Sequence, residues 1–342
     1  MKTYIDDLIE ISHYAGNRVD YTQGGGGNTS VKNLEKGIML IKASGYKLKD
    51  LSPTSAFVGV NLNAISNYYN SVDLSVKKDY EKESAELSKN SVVELEGIKT
   101  LRPSVEVGFH SILKKYVIHT HSVYANLITC SNEGENIAKN LFFKKDYGVI
   151  FLPYINPGFE LTLAMMNEIN KYVSEFNKFP EVIFMKNHGL VVTSDDKLRV
   201  QEIHTDVNKT IAKYFNIENE IKEISMKKVG DSFYSETNFI TEFIKNYNLN
   251  IDLLNEYPLY PDQLVYLNNI LVNSPETIKF SDDGVVFNTD TSQATTLHET
   301  LFAYAFVIDT INKNKLTISK MNEKEVAFIN GWEAEKYRRS VK

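Results

Sequence analysis

The chain has 342 residues, 42% of them apolar and 24% charged, with a formal net charge of −6. That composition is ordinary for a folded globular protein and excludes a largely disordered chain. The acidic balance, without a basic stripe, argues against a nucleic-acid partner, and no apolar run is long enough to span a membrane. The N-terminal MKTYIDDLIE carries acids where an export signal needs apolar residues, and the single cysteine, Cys130, has no internal disulfide partner, so a cytoplasmic setting is expected. The length predicts one large domain followed by a smaller one.

Ile5, Leu8, Ile9 and Ser12 recur at helical spacing, and Gly16-Asn17 marks the end of that helix. The segment YTQGGGGNTSVK follows; four consecutive glycines predict a loop, because glycine is entropically costly inside a helix or strand. Residues 37–44 and 58–62 read as strands, and the polar stretch 63–100 as loop with a surface helix near 77–89. Pro103 suits the opening turn of a helix over 101–113. Residues 116–120, 149–152, 181–185 and 190–193 read as strands, and 160–177 and 196–216 as helices. The second of these carries Val200, Ile203, Val207, Ile211 and Phe215 on one stripe. A Lys/Glu-rich linker is predicted at 222–228. Beyond it come a strand at PDQLVYL, a hairpin at KFSDDGVVF with an Asp-Gly turn, and two helices. The fold class is α/β with α+β character: a mixed, largely antiparallel sheet with helices on both sides. The expected domains are 1–222 and 223–342.

His119 and His121 are two apart in a predicted strand, so both imidazoles point to one face. That is the arrangement a zinc-like ion uses for two ligands, and equally one that a pair of strand histidines shows without a metal. His188 lies between Asn187 and Gly189 directly after an apolar strand, either as a third site residue or as a turn histidine. Glu106 lies near the start of the helix after Pro103, four residues before His110; it is a first-turn surface acid or a base for removing a proton next to a carbonyl. The GGGGNTS run is a plain connector or an anion cradle with Asn28, Thr29 and Ser30 as side-chain donors. It lacks the Gly-Lys-Ser/Thr of a nucleotide loop and the glycine spacing of a dinucleotide fold. Ser44-Gly45 is a second anion candidate, with Lys42 near enough to add charge.

The order GGGGNTS, KASG, RPSVE, HTH, NHG resembles the class II aldolase/adducin family over roughly residues 1–220. The family includes fuculose-phosphate and rhamnulose-phosphate aldolases and ribulose-phosphate 4-epimerase. LRPSVE, the C-terminal 120 or so residues and NGWEAEKYR look like a longer branch, similar to the aldolase half of bifunctional rhamnulose-phosphate aldolase/dehydrogenases, with no dehydrogenase half expected here. The resemblance implies a three-layer fold with a smaller C-terminal α/β segment, and a homo-oligomer, tetramer or dimer. It matches His119, His121 and His188 to metal ligands, with zinc the expected divalent ion, and Glu106 to the catalytic base. It matches Asn28, Ser44, Gly45 and Ser104 to phosphate-binding positions, joined here by the anion candidates Thr29 and Lys42. Val105 stands where relatives often carry a second serine, removing one hydroxyl donor. The implied activity is aldol cleavage or formation of a C–C bond in a ketose phosphate or related sugar or keto acid, through a metal-stabilised enediolate. Epimerisation, dehydration or decarboxylation at the same metal, and a non-catalytic adducin-like scaffold, are the alternatives.

Other residues read as structural. Cys130 is expected to be buried and inert. His13 and His204 are helix residues, the latter exposed or satisfied by a partner. His298-Glu299 reads as a helix start with capping or surface chemistry. Trp332 reads as a packing anchor, and Arg338 as part of a solvated helix face or, alternatively, of the cleft lining.

Overall fold

Short apolar runs set the frame. The structure, a computed structural model, describes residues 1–217 and 224–331. Among these, β1 (Asn28–Asn33), β2 (Ile38–Lys42), β3 (Phe57–Asn61), β4 (Val92–Val93), β5 (Tyr116–Thr120), β6 (Gly148–Leu152), β7 (Pro180–Met185) and β8 (Gly189–Ser194) form one sheet in the order β4-β3-β2-β1-β5-β8-β7-β6. Every pairing is antiparallel except β6 with β7.

Strand alternation explains the layers. On one face Val117, Ile183 and Val191 pack with Phe109 of the helix Val107–Ile112 and with Leu161 and Met165 of the helix Phe159–Phe176. On the other, Ile118, Val182, Phe184, Leu190 and Val192 meet Leu8 and Ile11 of the helix Lys2–Gly16 and Val200, Ile203, Val207 and Ile211 of the helix Lys197–Tyr214. This is the expected three-layer α/β arrangement. The fully buried stripe of the first helix runs through Leu8, Ile11, Ser12 and Ala15, and the expected stripe residues Ile5 and Ile9 pack half-buried against the same core.

A second sheet follows: β9 (Met226–Val229), β10 (Ser232–Ser235), β11 (Ile278–Ser281) and β12 (Gly284–Phe287), all antiparallel, in the order β11-β12-β10-β9. The helix Thr291–Lys313 is buried from Ala294 to Ile311 along most of its length, and its apolar residues share one continuous core with Leu8 and Ile118. No helix among the described residues is long and apolar enough to cross a membrane.

Four expectations are corrected. The helix predicted over 101–113 is only Val107–Ile112; Pro103 instead bridges Ala43, so the backbone before Glu106 is extended along the end of β2. The polar stretch after residue 61 holds a second helix, Leu62–Ser71, capped by the Asn61 side chain and anchored by Leu62, Ile65 and Tyr69. PDQLVYL is not a strand but a π-helical turn, Gln263–Asn268, continued by the helix Asn269–Asn273; a short buried apolar run fits either reading. Residues 226–228 of the predicted linker lie in β9. The predicted hairpin is present, with Asp282-Asp283 as its turn residues and Gly284 opening β12. Cys130 is buried, and burial pushes its thiol up to about 12. Trp332 and Arg338 lie outside the described residues.

Candidate metal centre

β5 lies between β1 and β8, with Asn28 opposite His119 and His119 opposite Val191. The start of β1, the end of β5 and the β7–β8 turn therefore meet at one rim of the sheet. His119 projects from β5 and His121 from the residue after next, just past the strand. His188 sits in the turn, where Asn187 takes a left-handed backbone (φ 51°). The ring centroids are 4.9, 5.1 and 5.2 Å apart, nearly an equilateral triangle, and one ligand atom from each ring lies within 4.8 Å of the others. All three side chains are buried.

Glu106 sits at the N-cap position of the helix Val107–Ile112 without a capping hydrogen bond from its side chain, which instead enters this triangle from the side of the sheet that carries Phe109. Its Oε1 is 3.2 Å from His188 Nε2 and its Oε2 3.6 Å from His119 Nε2. A chain of hydrogen bonds holds it. The Ser30 hydroxyl donates to His110 Nδ1 at 2.7 Å, His110 Nε2 donates to the Asn28 amide oxygen, and Asn28 Nδ2 donates to Glu106 Oε2 and, at 3.1 Å, to Ser104 Oγ. Burial keeps His110 neutral, well below the usual imidazole range, which this donor order requires. Burial alone would push the Glu106 carboxyl up; the imidazole of His119, the hydrogen bond from His188 and the rings of His188 and His121 outweigh it and hold the group well below the usual carboxylate range.

The donor set fits a divalent cation. His119 Nδ1 donates to the Leu190 carbonyl at 3.0 Å, and His121 Nδ1 is bonded to the carboxylate of Asp262. Both Nδ1 atoms thus carry the proton, and both Nε2 lone pairs face one another at 3.1 Å beside an anionic carboxylate. Two lone pairs so placed repel unless a proton or a cation lies with them. Burial lowers His119 to about 3, against the opposing charge of Glu106, so His119 itself does not carry a second proton at neutral pH. Three imidazoles with an adjacent carboxylate suit zinc and its neighbours.

The other predicted residues divide. Asn28 and Ser104 join the site through Glu106. Thr29 does not: strand alternation turns it to the opposite face, where its hydroxyl meets Ser12 Oγ at 2.6 Å beneath the first helix. Lys42 Nζ is buried and donates to the carbonyls of Gly25 (3.1 Å) and Tyr46 (2.7 Å). Ser44 and Gly45 follow β2, with Gly45 at φ 85°. The glycine loop is not an open cradle over its first three amides: Gly24 N–H donates to Glu299 at 2.8 Å, Gly25 N–H to the Tyr266 hydroxyl at 3.2 Å and Gly26 N–H to the Gln23 carbonyl at 2.9 Å.

Glu299 is thus the main correction among the residues read as structural. It and His298 lie inside the helix Thr291–Lys313, both buried; Glu299 also pairs with Lys49 (3.3 Å) and Lys47 (3.5 Å), and His298 Nε2 meets Ser235 Oγ at 2.9 Å. His204 is buried and satisfied by Thr120 Oγ1 at 2.8 Å, and His13 Nε2 meets the Leu51 carbonyl at 2.9 Å. Asp262 is the residue at the site that sequence reading missed. A lone aspartate before an apolar run carries no spacing signal; its full burial is the mark, and only the fold shows it.

The sequence profile of the Class II Aldolase and Adducin N-terminal domain matches residues 6–199. An uncharacterized oxidoreductase, YuxG, of Bacillus subtilis is 27% identical over 197 residues, which are 55% of this chain and 26% of that one; the chain therefore spans about a quarter of that relative's length. The N-terminal class II aldolase domain of a conserved Thermoplasma acidophilum protein is 25% identical and superposes with a TM-score of 0.51, covering 61% of this chain and 92% of that one. An L-fuculose 1-phosphate aldolase is a looser likeness, at 20% identity and a TM-score of 0.41 over 65% of this chain and 91% of that one.

Proposed function

Since the chain belongs to the class II aldolase and adducin family, we propose that it is a metal-dependent lyase that cleaves or forms a C–C bond in a sugar phosphate or sugar acid. The observation that carries this reading is the buried triangle of His119, His121 and His188 with Glu106 at 3.2 and 3.6 Å from two of its rings. The three histidines would hold a divalent ion, zinc in the first instance. Such an ion supplies Lewis acidity, drawing electron density from a substrate carbonyl and stabilising the negative charge left when the neighbouring C–C bond breaks.

The rest falls to the chain's own groups. Glu106, ionised and buried, takes and returns the proton on the carbon next to the carbonyl. Asn28 and Ser104 fix its carboxylate through the hydrogen bonds that reach back to His110 and Ser30. Ser104, with Ser44 and Gly45, forms the anchor for the anionic end of the substrate, which aligns the reacting carbons. Lys42 adds positive charge beside that anchor while its ammonium ties Gly25 to Tyr46. The reading extends to a cytoplasmic homo-oligomer, a dimer or tetramer. The oxidoreductase name belongs to a relative about four times as long as the matched stretch, and no redox activity is carried over.

Elemental analysis of the purified chain beside His119→Ala tests the reading first. Near one divalent ion per chain, lost in the variant, supports it; no metal after reconstitution leaves a scaffold. Product analysis with ketose phosphates and sugar acids then separates two carbonyl fragments, as expected, from a single isomer, a water-loss product or CO2. Glu106→Gln should retain metal and lose roughly 10²- to 10⁴-fold in turnover; full turnover would remove Glu106 from the base role.

A further inference from the structure

The residues beyond the family-matched stretch do more at the triad than cover it. Asp262 is fully buried, and its Oδ2 is bonded to His121 Nδ1. It immediately precedes the π-helical turn Gln263–Asn268, an irregularity that ties its own backbone through Gln263: the side-chain oxygen accepts from Leu259 N–H at 2.7 Å, and Nε2 donates to the Leu254 carbonyl at 2.9 Å. The same segment grips the His188 turn. Asn187 Nδ2 donates to the carbonyls of Leu259 and Ser319, both at 2.8 Å, and the Ser319 hydroxyl donates to Asn187 Oδ1 at 3.2 Å. The glycine loop makes room for this approach: a Cβ at Gly26 would collide with Asp262 Oδ2 and lie 2.8 Å from His121 Nδ1.

We infer that Asp262 is a positioning residue for the metal centre: it fixes His121 as the Nδ1–H tautomer with its Nε2 lone pair turned toward His119 and His188. The segment 258–319 thereby sets two of the three imidazoles, His121 directly and His188 through Asn187. This rests on the reading of the triad as a metal site. His119 needs no such help, because the Leu190 carbonyl within the sheet already fixes its tautomer. His121 has left the strand, and Asp262 is its described Nδ1 acceptor. A carboxylate in that position also makes the imidazole a stronger donor.

The test is equilibrium titration of the metal-stripped full chain with Zn²⁺ against a chromophoric chelator, and with Co²⁺ read by its visible ligand-field spectrum. Asp262→Ala should bind either ion roughly 10- to 100-fold more weakly and alter the Co²⁺ spectrum at saturation. Asp262→Asn, nearly isosteric, keeps an oxygen acceptor for Nδ1–H but not the charge, and should fall between that variant and the unsubstituted chain. Its thermal unfolding checks that the fold is kept. Affinities and Co²⁺ spectra equal to the unsubstituted chain in both variants would overturn the assignment of Asp262 while leaving the metal site standing. Failure of the unsubstituted chain itself to bind Zn²⁺ or Co²⁺ would overturn the metal reading, and this inference with it.

Discussion

Two parts of the chain, residues 1–217 and 224–331, meet at the triad and contribute in different ways. Residues 28–194 bring the chemistry-bearing side chains from strand ends, a turn and a short helix, held by the regular register of the sheet. Residues 258–319 bring hydrogen-bond partners from irregular backbone: Asp262 on His121, the carbonyls of Leu259 and Ser319 on Asn187, the Tyr266 hydroxyl and the Glu299 carboxylate on the glycine loop. A sheet rim places residues to within a hydrogen bond because its neighbours are fixed by pairing. A residue beyond the strand end, such as His121, or one in a left-handed turn, such as His188, needs partners from elsewhere. The second part supplies them, which is why its helix Thr291–Lys313 is built into the main core rather than set apart from it.

The largest expected effect tests that integration. Leu301 is fully buried in the core shared with Leu8 and Ile118. Leu301→Ala should cost about 2–5 kcal/mol, the usual range for a buried leucine truncation, and unfolding in denaturant should remain one cooperative transition by both far-UV circular dichroism and tyrosine fluorescence. Two separated transitions, with the metal retained after the first, would show that the second part is an independent unit and not a support for the triad.

The two parts also differ in how far the sequence reveals them. His119, His121, His188 and Glu106 stand out because their spacing coincides with strand alternation and with punctuation by glycine and proline. The three-layer fold stands out because its strands are short β-branched runs between helices of clear period. Thr29 was misplaced for a simple reason: reading GGGGNTS as loop discards the alternation that begins at Asn28. Asp262 and Glu299 gave no local signal, since each acts through a partner at least 141 residues away in the chain. The π-helical turn has no distinctive period, and PDQLVYL reads equally well as a strand.

Acid sharpens the contrast, because each part buries one histidine away from the metal site. His204, facing Tyr14, Tyr21, Thr120 and Asn208, is lowered to about 3 by burial and then by the charge of Arg18; His298, facing Ser235, Thr237 and Phe287, is lowered to about 4 by burial. Unfolded, each takes up a proton near pH ~6.5. Below that the unfolded chain binds more protons than the folded one, so stability falls with acidification, through about pH 4 for His298 and about pH 3 for His204. Each contributes a slope of up to about 1.4 kcal/mol per pH unit. Denaturant titrations at a series of acidic pH values should show a shallower slope in His204→Gln and in His298→Gln, whatever their stability at neutral pH. An unchanged slope in either would mean that its imidazole is already charged in the folded protein.

The smallest expected effect is the most specific. Gly26 and Gly230 lie in the two parts and differ in what limits a side chain. Gly230 has φ 61° and nothing within 4 Å of a Cβ, so Gly230→Ala should cost roughly 1 kcal/mol of backbone strain and leave metal affinity untouched. Gly26 is not among the residues with positive φ, so its backbone accepts alanine, but the methyl group would press on Asp262 and lie 2.8 Å from His121 Nδ1. Gly26→Ala should therefore leave the His119 side of the triad intact and weaken Zn²⁺ binding by roughly tenfold through the displaced Asp262–His121 pair. If both substitutions lower stability and neither moves Zn²⁺ affinity, the contact between the glycine loop and Asp262 is packing alone, and the second part of the chain supports the fold without tuning the site.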